Sequence, residues 1–152
     1  MTLLTIVHVL ISLAGIGAGL IVIAGFMAGN RFPRWNLLFL AATTATSLTG
    51  FLFPIEKLTP GIIVGIVSLG VLGLAFAARA KSWPKTYILT ASAAEFLNVL
   101  ILITQLFEKV PALHQYAPAG TEPVVAIVQG LASVFFALLA VSAVRRSIYT
   151  VV

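Results

Sequence analysis

The chain has 152 residues, of which 61% are hydrophobic and only 9% charged, and its mean hydropathy is +1.14. A soluble domain carries about 25% charged residues, so this composition excludes a soluble enzyme as well as a disordered or collagen-like chain. Nine Lys and Arg stand against four Glu and no Asp, an excess that in a membrane protein reports topology rather than affinity for nucleic acid. The expected fold is all-α, a polytopic helical bundle forming one transmembrane domain over residues 1–152.

A helix needs ~17–25 apolar residues to cross a ~30 Å hydrocarbon core. Five runs meet this, at residues 3–28, 35–53, 61–78, 87–107 and 123–144. They are apolar on nearly all faces, which disfavours the alternating strands of a barrel. The first run lacks a basic leader and is too long for a signal peptide core, so it is expected as a retained helix. It carries His8, Ser12 and a glycine cluster, Gly15 to Gly19. Lying inside one apolar helix, that cluster suits helix packing rather than a dinucleotide loop, which needs a strand before it. The second run is rich in hydroxyls: Thr43, Thr44, Thr46, Ser47 and Thr49. The third offers Gly61 and Gly65 for close packing, and the fifth Gly130, Ser133 and Ala137. Between the last two runs, residues 108–122 are apolar enough to lie on the interface as one or two helical turns.

The separators set the orientation. Arg31, Arg34, Arg79, Lys81, Lys85, Arg145 and Arg146 fall on one side, and only Lys57 and Lys109, each beside a Glu, on the other. Short cytoplasmic loops retain Lys and Arg, which places the N-terminus outside and the C-terminus inside. A tandem duplication is also suggested. Phe32-Pro33-Arg34 before the second run matches Trp83-Pro84-Lys85 before the fourth. Read onward, this pairs hairpin 2–3 with hairpin 4–5 in the same orientation, leaving the first helix as an addition.

Glu95 is the only carboxylate within a run. An ionised side chain at mid-membrane costs ~3 kcal/mol or more, so Glu95 should face the bundle interior, where burial favours its neutral, protonated form. At about 100° per residue, Glu95, Asn98 and Gln105 fall within about 80° of one another, and Ser92 about 60° to the other side. The duplication would add Thr44 and Ser47 as the counterparts of Glu95 and Asn98, and His8 lies nearer the outer end. Two readings of these groups compete. As glue they bond across helices for ~0.6–2 kcal/mol each; as a site they line a path for a proton, an ion or a small polar ligand.

Other chemistries lack their residues. Haem b needs two facing histidines, and the runs hold one. Without Cys or Asp there is no thiolate site and no Ser-His-Asp set. No metal, cofactor or catalytic residue is expected.

His8, the segment Thr46-Ser47-Leu48-Thr49-Gly50-Phe51-Leu52-Phe53-Pro54, Leu97-Asn98 and the segment from Gln105 to Leu113 resemble a group of small proteobacterial inner-membrane proteins without assigned chemistry. The resemblance covers most of the chain and implies a multi-pass protein of a bacterial inner membrane. In size alone the chain is similar to the translocator-protein family of porphyrin and cholesterol binders, whose tryptophan-rich loop pattern is missing here. Two functions follow as expectations. The first is a non-enzymatic protein that binds or conducts a small ligand, proton or ion around Glu95. The alternative is an accessory subunit of a larger membrane complex, or a homo-oligomer, packing through Gly15, Gly19, Gly61, Gly65 and Gly130.

Overall fold

The computed structural model describes residues 2–54 and 59–149. Six helices follow in order: α1 (Leu3–Ala28), α2 (Pro33–Gly50), α3 (Pro60–Ala80), α4 (Pro84–Lys109), α5 (Pro111–His114) and α6 (Pro123–Tyr149). No strand occurs among the described residues. Local chemistry explains the starts. Thr2 and Thr59 cap α1 and α3, their hydroxyls accepting from the N–H groups of Thr5 and Ile62. Every later helix opens on a proline, whose fixed φ suits the first helical position. This is why α2 and α4 begin at Pro33 and Pro84, ahead of the expected residues 35 and 87. The loop expected to hold one or two turns contains α5, a single turn.

Four helices, α1, α3, α4 and α6, are long and apolar enough to cross a membrane. Their outward faces expose large apolar side chains such as Leu10, Leu74, Leu131 and Leu138, far more than a soluble surface carries, and this marks a membrane protein. Of the five expected runs the second is the exception. Helix α2 spans 18 residues, and its hydroxyl-rich sequence lowers its hydropathy below that of the other four. It packs against α1 and α3, burying Asn36, Thr43 and Ser47 and exposing Leu37, Leu38 and Leu48 on its outer face.

Helix α4 is central, touching α1, α3, α5 and α6. A dense core joins α1 to α4 through Ala18, Val22, Phe39, Leu40, Leu72, Ala75, Ala91 and Ala94. Helix α6 packs on α4 and α1, and its last turn ties back where the Arg146 guanidinium donates to the Met27 carbonyl at 2.6 Å. At the opposite end a smaller cluster of Phe107, Ala117 and Val125 packs α4, the loop after α5 and α6 together. All seven bases of the expected cytoplasmic group therefore lie at one end, called here the basic end; His8 lies towards the other.

The internal likeness follows a different pairing from the one expected. Helices α1 and α3 both finish on a left-handed residue, Gly29 (φ 71°) and Ser82 (φ 54°). In each, the next N–H reaches back to a helix carbonyl, Asn30 to Gly25 and Trp83 to Ala78, both at 2.8 Å. The aromatic caps Phe32 and Trp83 then adopt nearly the same backbone, ψ 86° and 85°. Buried positions agree as well: Gly15, Gly19, Val22 and Gly25 of α1 match Ser68, Leu72, Ala75 and Ala78 of α3. Leu40 and Thr43 of α2 match Ala91 and Ala94 of α4. In these features the hairpin α1–α2 resembles α3–α4, with α6 left over. The expected match of the second and fourth runs stands, but their companions are the helices before them. The signal was hidden because the left-handed cap is a glycine in one hairpin and a serine in the other.

Candidate functional site

The site forms where α1, α2 and α4 meet. Glu95, twelve residues into the 26 of α4, is fully buried, as is Thr43 of α2. One α-helical turn beyond Glu95, the Asn98 amide donates to Glu95 Oε2 at 3.3 Å and to Thr43 Oγ1 at 3.1 Å. Glu95 Oε1 has no partner among the described residues. An unpaired buried polar atom costs about 1–3 kcal/mol, so leaving this oxygen unmet is a cost the fold bears.

Two glycines of α1 make the approach possible. A Cβ on Gly19 would collide with the Glu95 carboxyl and stand 2.9 Å from the Phe39 ring. A Cβ on Gly15 would stand 3.3 Å from Thr43 Oγ1. Glycine at these positions lets the helix backbone lie directly against the polar groups. The expected packing glycines otherwise divide. Gly65 meets the Phe51 ring, Gly61 only the Thr59 hydroxyl, and Gly130 faces open space.

Towards the His8 end, the polar groups continue. Ser47 is buried one turn beyond Thr43. The Thr46 hydroxyl is also buried without a partner among the described residues. The Thr49 hydroxyl donates to the Ala45 carbonyl at 2.7 Å, so its contact with His8 Nδ1 at 2.8 Å makes that nitrogen the donor, leaving Nε2 as the acceptor. His8 is half-buried and sits edge-on to Phe53 at 5.3 Å between ring centroids. Towards the basic end the character reverses. Phe39, Leu40, Val22, Leu72 and Ala91 fill the interior, and beyond them the Tyr87 hydroxyl donates to buried Asn36 Oδ1 at 2.6 Å.

Of the residues expected at the site, Glu95 and Asn98 meet, and Ser47 and His8 lie along the same helix interface. Three do not join them. The Thr44 hydroxyl donates to the Leu40 carbonyl of its own helix at 2.7 Å, and Thr43 takes its place. Gln105 is exposed and donates to Glu108 at 3.1 Å. Ser92 is buried on another side of α4, lining with Ser133, Phe96 and Phe136 a shallow groove of about 200 Å³ between α4 and α6. Thr43, Asn36 and Tyr87 were missed as partners. The signal for the first two was the spacing Asn36, Leu40, Thr43, Ser47, which puts one polar stripe on one helix face.

Hydrogen bonds between helices are not confined to the site. The Gln129 amide donates to Thr104 Oγ1 at 3.1 Å, joining α6 to α4. No group of three or more His or Glu side chains that could share a metal ion occurs among the described residues. Compared with protein-family models, curated proteins and solved structures, the chain matches none.

Proposed function

We propose that this is a non-enzymatic protein of a bacterial inner membrane that binds or conducts a proton, ion or small polar ligand at Glu95. It crosses the bilayer five times, with the N-terminus outside and the C-terminus inside. The gathering of seven bases at one end of the bundle supports that orientation. Helix α2, about 27 Å long, serves as the fifth crossing because its neighbours shield its hydroxyls from lipid.

The observation that carries the reading is the buried Glu95 carboxyl, with one oxygen held by Asn98 and the other unpaired. A bond serving only as glue would use both oxygens, since leaving one unmet in the membrane interior is costly. The test is reconstitution into vesicles, comparing proton uptake by the wild type and by Glu95→Gln after a pH step. The wild type should take up protons that the variant does not; equal uptake by two folded proteins would overturn the reading.

One observation favours the accessory-subunit alternative. Helix α6 exposes Ile127, Leu131, Val134 and Leu138, and Gly130 beside them meets nothing within 4 Å. A partner helix or a second copy of the chain would pack there. Constant recovery with the same larger complex from native membranes, with Glu95→Gln leaving that complex intact, would favour this alternative.

A further inference from the structure

The surroundings of Glu95 differ sharply on its two sides. Apart from Ala18, one residue to the His8 side of Gly19, the main apolar core lies on its basic side or level with it: Val22 on α1, Phe39 and Leu40 on α2, Leu72 and Ala75 on α3, Ala91 and Ala94 on α4. On the His8 side the same helix interface carries Thr43, Ser47, Thr46, Thr49 and His8. Side-chain burial also relaxes in that direction, from fully buried Glu95 and Thr43 to half-buried Thr46, Thr49 and His8.

We infer that Glu95 is a proton site with access from the His8 end alone, by way of Thr46 and the His8–Thr49 pair, the basic end being sealed by the apolar core. The inference rests on the reading of Glu95 given above and narrows its ligand to a proton. Two features select the proton. The group facing Glu95 Oε2 is the Asn98 amide, a donor, which repels a metal cation that would need several oxygen ligands. On that side of the carboxyl not even a methyl group fits, because the Gly19 backbone and Phe39 ring already fill the space. The exchangeable position is Oε1, which binds the proton in the neutral acid and releases it, leaving the carboxylate held by Asn98.

The route follows from the unpaired atoms. Among the described residues Glu95 Oε1 and Thr46 Oγ1 are both buried without partners, and a water reaching both would satisfy them and relay protons. From Thr43 to Thr49 the path rises six residues, about 9 Å along the helix. At its mouth the His8 ring donates from Nδ1 to Thr49 and keeps Nε2 to take up a proton from the medium. No other titratable group on the surrounding helices competes. Helix α1 holds only His8, α2 only Arg34 and α3 only Arg79, the last two at the basic end. Helix α6 bears its bases and Tyr149 in its final turns, α4 keeps Lys85, Tyr87, Glu108 and Lys109 near its ends, and His114 of α5 is engaged with the Phe107 carbonyl of α4.

The experiment uses vesicles with the full chain in one orientation, sorted through a C-terminal tag, and steps the outside pH with an impermeant buffer. The Glu95 carboxyl stretch is followed by infrared difference spectroscopy and assigned as the band that Glu95→Gln removes. If that variant does not fold, Glu95→Asp displaces the band instead. A step on the His8 side should change the band at once, and a step on the basic side only as the two compartments equilibrate. Thr46→Val should slow the response several-fold without abolishing it. A prompt response from the basic side would overturn the sidedness while leaving Glu95 as an exchanging group. No response from either side would overturn this inference and the proposed function together. An unchanged rate in Thr46→Val would overturn the route.

Discussion

Gly19→Ala tests the packing on which the site depends. The added Cβ collides with the Glu95 carboxyl and approaches the Phe39 ring to 2.9 Å. Neither neighbour can yield freely, since both side chains are fully buried. Overpacking of this kind costs typically ~1–3 kcal/mol. Moving the carboxyl also breaks its bond from Asn98, and an interhelical bond in a membrane is worth about 0.6 kcal/mol on average. Set against the gain in helix propensity of up to about 1 kcal/mol, the expected net loss is about 1–3 kcal/mol. Gly17→Ala is the internal control. It lies two residues away in the same helix, and its Cβ would meet nothing within 4 Å. There the substitution should be neutral or stabilising by up to about 1 kcal/mol, the difference in helix propensity.

The assay is reversible unfolding in mixed micelles, followed by circular dichroism, with Glu95→Asp combined with Gly19→Ala as a double-mutant cycle. The shorter acid withdraws the carboxyl from the new methyl, so the two losses should fall short of additivity by about 1 kcal/mol or more. If Gly19→Ala matches Gly17→Ala in stability, or if the cycle is additive, the close approach of α1 to Glu95 is not what holds the site.

Three further outcomes are expected. Ser82→Gly should raise thermal stability in detergent by about 1 kcal/mol, because Ser82 holds a left-handed backbone that penalises a side chain; Gly29→Ala should lower it by a similar amount. Tyr87→Phe should cost about 1–2 kcal/mol in the same melt, since it strands buried Asn36 Oδ1, whereas Tyr116→Phe on the exposed loop should be neutral. The backbone N–H of Ala119, donating to Glu122 at 2.8 Å, holds the Glu122 carboxyl below its usual range. That contribution is present above the ordinary carboxylate pKa and is lost as pH falls through the lowered folded value. The protection factor of the Ala119 amide, measured against intrinsic exchange at each pH, should therefore fall at the acid end, and Glu122→Gln should remove that fall.

The helices were legible because apolar length is a coarse and robust signal, and their starts were misjudged only where a proline belongs to the first turn. Glu95 was legible as the one acid that loop topology does not explain, and Asn98 followed from its place one turn on. The partner on α2 was not. That helix carries five hydroxyls in seven residues, Thr43 to Thr49, so composition does not choose a face; only the heptad from Asn36 to Thr43 does. Gln105 looked eligible because it sits at the edge of the Glu95 stripe, but two turns and more along the helix that edge has left the interior. Tyr87 and Asn36 each read as interfacial residues near helix ends, and only the fold shows that they face one another.

The pairing of Asn36 with Tyr87 also explains how the site arises from a repeat. Counted from their opening prolines, these are the same position of α2 and α4, and equivalent residues meet each other where a pseudo-two-fold axis passes. Their contact at 2.6 Å is what such an axis between the two helices would give. Symmetry alone would have put like groups at the centre, but the sequence departs from it there. Thr43 corresponds to Ala94 and Glu95 to Thr44, while Gly19 opposite Glu95 corresponds to Leu72. The larger side chain on α4 goes with the smaller residue on α1, and the smaller one on α2 with the larger on α3, which keeps the core filled on both sides of the axis. The same exchange concentrates the polarity. One hairpin supplies the carboxyl and its amide, the other a hydroxyl and a bare backbone, and the acid stands only on the side where α1 leaves room for it.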